Sequence, residues 1–97
     1  MKKKIPKEFQ PILWSTNIKN LDLEYDREYI IHQVLMYGTL KQIGWLFKVY
    51  KENTIREVFL ERPQNIYTPP AFYFIKNIIL GLQNIPLSKK KYVKTLF

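Results

Sequence analysis

Residues 29–62, YIIHQVLMYGTLKQIGWLFKVYKENTIREVFLER, decide the fold. Apolar side chains recur in this stretch at intervals of three and four residues, the spacing that places them on one face of a helix. Two short breaks, at Gly38-Thr39 and at Lys51-Glu52, divide the stretch into three segments. The pattern predicts three amphipathic helices joined by tight turns, in the arrangement of a helix-turn-helix.

Capping residues predict where the first of these helices begins and ends. Aspartate side chains favour a helix N-terminus, so we expect it to begin at Asp22 or Asp26 and to end at Tyr37. Gly38 is expected to end it in the left-handed conformation that glycine adopts without strain. The apolar stripe of this helix is wide, which predicts contact with more than one neighbour.

The second and third helices carry comparable signals. Thr39, with Gln42 three residues later, has the pattern of a capping box and predicts a helix start. Gly44 lies inside this second helix at a cost of ~1 kcal/mol relative to alanine, which suggests the close approach of another helix or of a partner chain. Asn53 is expected to cap a short third helix that ends near Arg62.

A fourth helix is predicted after a loop, with Thr68 as its cap and two prolines in its first turn, where proline is tolerated. Gly81 is its expected stop. The segment that follows has two interpretations. Ser88 could cap a short fifth helix at the C-terminus, or the segment could be a loose basic arm with aromatic anchors that orders on a partner.

Composition limits the class of protein. Ninety-seven residues, of which 46% are hydrophobic, suit one domain with one modest core. We expect a basic flexible leader at 1–8, a single helical domain at 9–82 and a basic tail at 83–97. No apolar run reaches the ~18 residues that a membrane span needs, and the basic start lacks the apolar stretch of a signal peptide. The expectation is a cytoplasmic, all-α bundle of four main helices.

The net charge of +8 is located at the two ends of the chain. Residues 1–7 contain four lysines and no acid, and residues 89–94 contain four more lysines. Between them, residues 8–88 carry eight basic and eight acidic side chains, so that their charges cancel. A neutral centre with basic ends is less typical of a DNA-reading domain than the total charge suggests.

The sequence has few of the residues that catalysis or metal binding needs. It has no cysteine, which excludes disulfides and thiolate metal sites. The one histidine, His32, has no second histidine to complete a metal set, and Met36 occupies the position one turn further on. The serines and glycines form neither a nucleophile elbow nor a phosphate loop. We therefore expect a protein without enzymatic activity, metal or cofactor.

A nucleic-acid site is one hypothesis for this helix-turn-helix pattern. If the third helix were a recognition helix, it would present its polar side chains to a DNA groove. The possible contacts are Lys51, Asn53, Thr54, Arg56 and Arg62. Glu57 and Glu61 lie on the same short helix and count against this hypothesis, because carboxylates repel phosphates.

The aromatic content favours a protein partner instead. Two Trp, seven Tyr and six Phe are more than a small core readily encloses. Exposed aromatic side chains are enriched in protein–protein interfaces, although ordinary partial burial of tyrosines is the competing explanation. The candidate partner-binding residues are Trp45, Tyr67, Tyr73, Tyr92 and Phe97.

Residues 12–82 resemble a family of short, uncharacterised bacterial proteins that are often encoded beside nucleotidyltransferase toxins of the abortive-infection AbiE class. The segments that carry the resemblance are LW at 13–14, LD at 21–22, YII at 29–31, VLMYG at 34–38, WLFKVY at 45–50, IREV at 55–58 and TPPAFYF at 68–74. Two departures are mild. Tyr50 is followed by Lys51 where members run into a glycine, and Tyr73 follows Phe72 where members carry Phe-Trp.

The resemblance implies an antitoxin-like protein that binds and neutralises a nucleotidyltransferase-type toxin, and it names no catalytic residue. The alternative is a small helix-turn-helix DNA-binding regulator, a role that an antitoxin repressing its own operon would combine with the first. A third hypothesis is an RNA- or ribosome-associated protein that uses its lysine-rich ends. The sequence leaves the oligomeric state open.

Overall fold

The computed structural model describes residues 4–94, and within them the chain forms a bundle of four helices without a named strand. The helices are α1 (Arg27–Tyr37), α2 (Leu40–Val49), α3 (Glu52–Glu61) and α4 (Pro69–Tyr73). α4 continues directly as a π-helical segment, Phe74–Ile79. Short 3₁₀ turns lie at Lys7–Phe9, Ile18–Asn20 and Lys89–Lys91. The predicted all-α bundle is confirmed.

Among residues 4–94, none of the helices has the length and apolar character that a membrane crossing requires.

α1 lies at the centre of the bundle and contacts both α2 and α3. Its residues from Ile30 to Leu35 are all buried, which requires apolar or paired side chains on every side of the helix. The polar side chain of Gln33 is satisfied there, because its Nε2 donates to the carbonyl oxygen of Ile12 at 2.8 Å. The predicted contact of this helix with more than one neighbour is confirmed.

Three of the predicted helix ends are present in the structure. Thr39 and Gln42 form the capping box, each side chain bonded to the backbone N–H of the other. The Thr68 hydroxyl accepts from the N–H of Ala71, with prolines at the next two positions. Gly81 follows the π-helical segment with a φ of 64°, in the left-handed region.

Two predictions about glycines were wrong. Gly38 has a φ of −77° and is extended rather than left-handed. Glycine is needed at this position for a steric reason instead, because a Cβ there would lie 2.6 Å from the carbonyl oxygen of Val34. A Cβ on Gly44 would have no neighbour within 4 Å among residues 4–94, so no described helix approaches it. The predicted approach of a partner chain at Gly44 stays a prediction.

Predicted side-chain caps also failed at two helix starts. α3 begins at Glu52, one residue before the predicted cap Asn53, and its N-cap Lys51 makes no side-chain bond to the helix. Asp26 is the N-cap of α1, but its carboxylate accepts from the N–H of Asp22 rather than from the helix. The two aspartates stabilise the turn that leads into α1 instead.

Both ends of the described chain pack against the domain. Ile5 belongs to the core, so this part of the predicted leader at 1–8 contacts the domain. At the other end, Tyr67 and Val93 form an isolated parallel β-bridge, with Tyr67 N–H donating to Tyr92 O and Lys94 N–H donating to Tyr67 O, both at 2.9 Å. The tail is docked through Lys94, with one 3₁₀ turn in place of a fifth α-helix.

Candidate partner-binding surface

The single histidine lies in the core, bonded at both ring nitrogens. Its Nε2 is 2.7 Å from the carbonyl oxygen of Arg62, which can only accept, so Nε2 carries a proton. Its Nδ1 then accepts from the Tyr67 hydroxyl at 2.7 Å. Burial lowers the pKa of His32 because the charged ring would lose its hydration. Both nitrogens are occupied by this structural role, and the described residues contain no cluster of three or more metal-ligating side chains.

Two of the predicted partner-binding residues are buried, so their predicted exposure was wrong. Tyr67 and Tyr92 are 0% and 1% exposed. The docked tail encloses them, and the Tyr92 hydroxyl donates to the carbonyl oxygen of Phe59 at 2.6 Å. The same burial raises the pKa of Tyr67 well above its usual value. Both rings are therefore core residues of this chain.

The other three predicted partner-binding residues differ in position. Trp45 is half-buried, with its ring centroid 4.5 Å from that of Phe9. Tyr73 is 41% exposed, as an interface residue requires. Phe97 lies outside the described residues. Of the five, Tyr73 is the one that is both described and exposed.

The possible nucleic-acid contacts lie around α3, but they do not form one free basic face. Lys51, Asn53 and Arg62 are exposed, whereas Thr54 and Arg56 are partly buried. The Arg56 guanidinium is engaged within the chain: Nε donates to the Leu80 carbonyl oxygen at 2.9 Å, and a terminal nitrogen donates to Glu52 at 2.7 Å. Its charge is therefore shared with a carboxylate rather than presented to a ligand.

The surface of α3 carries more acid than base. A cleft of about 430 Å³ lies between α1 and α3, lined by Arg27, Glu28, Glu57, Val58, Glu61 and Arg62. It holds three carboxylates and two guanidinium groups, and Arg62 Nε lies 3.9 Å from Glu28. Such a surface opposes close contact with a phosphate backbone.

A larger open groove, of about 1120 Å³, lies between the N-terminal turns and the end of α2. Its apolar lining residues are Ile5, Ile18, Leu21, Leu23, Val49 and Tyr50. Charged groups of both signs surround them, namely Lys4, Lys7, Lys19, Asp22 and Glu24. The mixture of charges selects no single class of ligand.

An exposed aromatic pair near the start of the domain was missed by sequence reasoning. Trp14 is 58% exposed, and its ring centroid lies 5.0 Å from that of Tyr37 in an edge-to-face contact. Leu40, three residues after Tyr37 across the turn between α1 and α2, is also exposed. We call Trp14, Tyr37 and Leu40 the Trp14 patch. Leu13, immediately before Trp14, is fully buried. Two large apolar residues in succession cannot both face the core from an extended or turn segment, and this was the signal in the sequence that one of them is exposed.

A second exposed apolar row runs along the last helix. Tyr73, Phe74 and Ile78 are 41%, 40% and 69% exposed. Tyr73, Phe74 and Ile78 lie within about one turn of each other, and side chains at that spacing share a helix face. Lys89 Nζ lies 4.7 Å from the centroid of the Tyr73 ring. We call these four residues the Tyr73 patch.

The charged side chains of the chain segment that carries the Tyr73 patch have one sign. From residue 63 to residue 94 the chain has no aspartate or glutamate. The five charged side chains in this range are Lys76, Lys89, Lys90, Lys91 and Lys94. The segment that carries the Tyr73 patch is therefore basic, in contrast to α3.

Comparison with known proteins identifies a family. The profile described as Family of unknown function (DUF6922) matches residues 8–59, which is more than half of the 97-residue chain. The chain belongs to this family. The matched region includes the Trp14 patch, α1, α2 and most of α3, and it leaves α4 and the Tyr73 patch outside. No curated protein matches the chain, and no solved structure does.

Proposed function

We propose that this member of the family is a non-enzymatic interaction protein, an antitoxin-like partner that binds and neutralises a nucleotidyltransferase-type toxin. The observation that carries the binding role is the Trp14 patch. A tryptophan that is 58% exposed and stacked edge-to-face on a second exposed ring is costly to leave in water. Tryptophan and tyrosine dominate the energetic centres of protein interfaces.

The Trp14 patch is held by ordered structure on both sides. Leu13 is buried in the core immediately before Trp14, and the N–H of Ser15 immediately after it donates to the Tyr29 hydroxyl at 3.0 Å. The backbone of Trp14 is therefore positioned before any partner arrives. Preorganisation of this kind reduces the entropy lost on binding and so favours affinity.

The identity of the partner rests on the sequence resemblance rather than on the shape of the surface. The segments that carry the resemblance include Leu13-Trp14 and the VLMYG segment that contains Tyr37. Two of the three residues of the Trp14 patch, Trp14 and Tyr37, thus lie in segments that suggest a toxin partner. The toxin is proposed as the protein that covers these rings.

The alternative remains a small helix-turn-helix DNA-binding regulator. α2 and α3 are joined by the two residues Tyr50 and Lys51, a connection short enough for that motif. Lys51 and Asn53 are exposed at the start of α3. The acidic cleft beside α3 counts against this role, and we therefore rank it second.

The proposal can be tested by capturing the tagged protein with its partners from its own cells, with washes at low and at high salt. The variants are wild type, Trp14→Ser, and Tyr25→Ser as a control that removes an exposed ring elsewhere. We expect one stoichiometric nucleotidyltransferase-type protein to survive high salt with wild type and Tyr25→Ser, and to be lost with Trp14→Ser. The purified protein should also inhibit that enzyme.

The opposite results are equally clear. Nucleic acid that is retained at low salt and released at high salt, without a protein, would support the DNA or RNA alternatives. Replacement of the terminal lysines by glutamine would then show whether the basic ends are responsible, because Ile5, Tyr92 and Val93 belong to the core and cannot be deleted without loss of packing. A stoichiometric partner without nucleotidyltransferase character would reject the toxin part of the proposal.

A further inference from the structure

We infer that the Tyr73 patch is a second docking surface, and that it binds an amphipathic helix of a partner protein with acidic residues beside its apolar face. This inference does not depend on the toxin proposal, because the two patches are different sets of residues. The Tyr73 patch lies outside the region that the family profile matches. It is therefore inferred in addition to the toxin-binding role proposed for the Trp14 patch.

The helical segment that carries the exposed side chains of the Tyr73 patch is anchored in the core by its buried residues. Phe72, Ile75 and Leu80 are buried on the opposite side of the same helical segment. The wide turn is closed by the N–H of Leu80, which donates to the carbonyl oxygen of Ile75 at 2.9 Å. Because these neighbours are anchored, Ile78 protrudes from an ordered backbone. Helices pack on one another through such rows of apolar side chains.

The basic charges beside this row are also held in position. Asn65 Nδ2 donates to the carbonyl oxygens of Lys90 and Val93, at 2.8 and 2.9 Å. Together with the bridge between Tyr67 and Val93, these bonds keep the lysine-containing turn at the surface. Lys89 contacts the ring of Tyr73, which places its charge within the patch.

Charge complementarity selects the occupant. Residues 63–94, which supply every residue of the patch, contain no acidic side chain to repel an acidic partner. The carboxylate of Glu52 on α3 is paired with Arg56 at 2.7 Å. A second copy of the same surface would bring lysines against lysines, which disfavours a symmetric dimer through this patch. An apolar row with lysines beside it fits an apolar stripe with glutamates and aspartates beside it.

Nucleic acid and a lipid bilayer fit the patch less well. Base stacking needs an open aromatic face, whereas Lys89 lies over a face of the Tyr73 ring. Binding at a bilayer needs several apolar side chains that enter the lipid, whereas Ile78 is the one member of the row that is more than half exposed. A protein helix can contact all three apolar side chains without either requirement.

The test is a selection from a phage-displayed library of helical peptides against the full-length protein. Peptides that also bind the Ile78→Ser variant are removed by counter-selection. Affinities of the selected peptides are then measured by fluorescence anisotropy. The patch variants are Ile78→Ser and Lys89→Glu, and their matched controls are Ile85→Ser, an exposed isoleucine off the row, and Lys19→Glu, the same charge change elsewhere. Thermal unfolding checks that all four variants fold.

We expect selected peptides to carry apolar residues at helical spacing beside aspartates and glutamates. Their affinity should fall about tenfold or more with either patch variant and stay within about twofold with the controls. The inference is overturned if no peptide is selected, if the selected peptides lack acids, or if the variants and controls bind alike. It is also overturned if oligothymidylate or phosphatidylglycerol vesicles bind instead in a manner that depends on Ile78.

Discussion

The Nδ1 nitrogen of His32 and the hydroxyl oxygen of Tyr67 lie 2.7 Å apart inside the core and join α1 to the segment after α3. The other ring nitrogen donates to the carbonyl oxygen of Arg62, also at 2.7 Å. Protonation of Nδ1 would remove the acceptor for the Tyr67 hydroxyl proton. The neutral ring is thus the form that this core accommodates.

This arrangement predicts that the protein loses stability in mild acid. The folded-state pKa of His32 is lowered from 6.5 by burial, so below that pH the unfolded chain binds more protons than the folded one. The stabilisation is complete above pH 6.5. It decreases as the pH falls from 6.5 toward the lower folded-state pKa, by at most about 1.4 kcal/mol per pH unit.

Urea unfolding between pH 8 and pH 5.5 measures this effect. His32→Gln is the control, because glutamine does not titrate, and its stability should change less over the same range. Equal pH dependence in the two proteins would show that His32 does not carry the effect.

Because the tail is docked through Tyr92, we expect substitution of Tyr92 to lower the free energy of unfolding strongly. Tyr92→Ala removes a ring that contacts Phe59 and Phe72 at centroid distances of 4.6 and 5.1 Å. We expect a loss of about 3–5 kcal/mol in the free energy of unfolding. Tyr92→Phe keeps the ring and leaves the Phe59 carbonyl without its donor, at a cost of about 1–2 kcal/mol. Similar small losses for both variants would mean that the tail adds little to stability.

Substitution of glycine by alanine is expected to change the stability of the fold in opposite directions at Gly44 and Gly38. Gly44→Ala should raise stability by up to about 1 kcal/mol, because the position is inside a helix and its Cβ would meet nothing within 4 Å. Gly38→Ala should lower stability, because its Cβ would lie 2.6 Å from the Val34 carbonyl oxygen and the turn would have to shift. Thermal unfolding of the two variants beside wild type measures both changes. A loss of stability in Gly44→Ala would contradict the open position.

Arg56 is predicted to stabilise the fold, with Arg62 as its matched control. Arg56→Ala removes the bond from Nε to the Leu80 carbonyl oxygen, which links α3 to the end of the π-helical segment. We expect a loss of about 1–2 kcal/mol in unfolding free energy. Arg62→Ala removes a 3.9 Å ion pair between exposed side chains and should cost less than about 0.5 kcal/mol. An electrophoretic mobility-shift assay with DNA tests the recognition-helix alternative. If α3 reads DNA, both substitutions should weaken DNA binding.

Several helix ends are determined by residues within one turn of each other, and these ends could be predicted from the sequence. The Thr39–Gln42 capping box, the Thr68 cap before two prolines and the stop at Gly81 are examples. The wide apolar stripe of α1 likewise predicted contact with more than one neighbour. Each rests on helical geometry alone, which relates positions a few residues apart.

The candidate site was predicted in part. Tyr73 was named from its residue type and is exposed, whereas Tyr67 and Tyr92 were named for the same reason and are buried. Composition indicates how many aromatic side chains there are, but it does not indicate which segments cover them. The Trp14–Tyr37 pair was missed because the two rings are brought together by packing rather than by spacing.

The amino-acid sequence by itself determined four helices, their approximate limits and the location of the charges. Only the tertiary structure decided that His32 is a bonded core residue, since its two partners lie 30 and 35 positions away. Only the tertiary structure placed the tail over Tyr67 and left Tyr73, Phe74 and Ile78 exposed. The physical reason is that helical periodicity acts over a few residues, whereas burial depends on which distant segments meet.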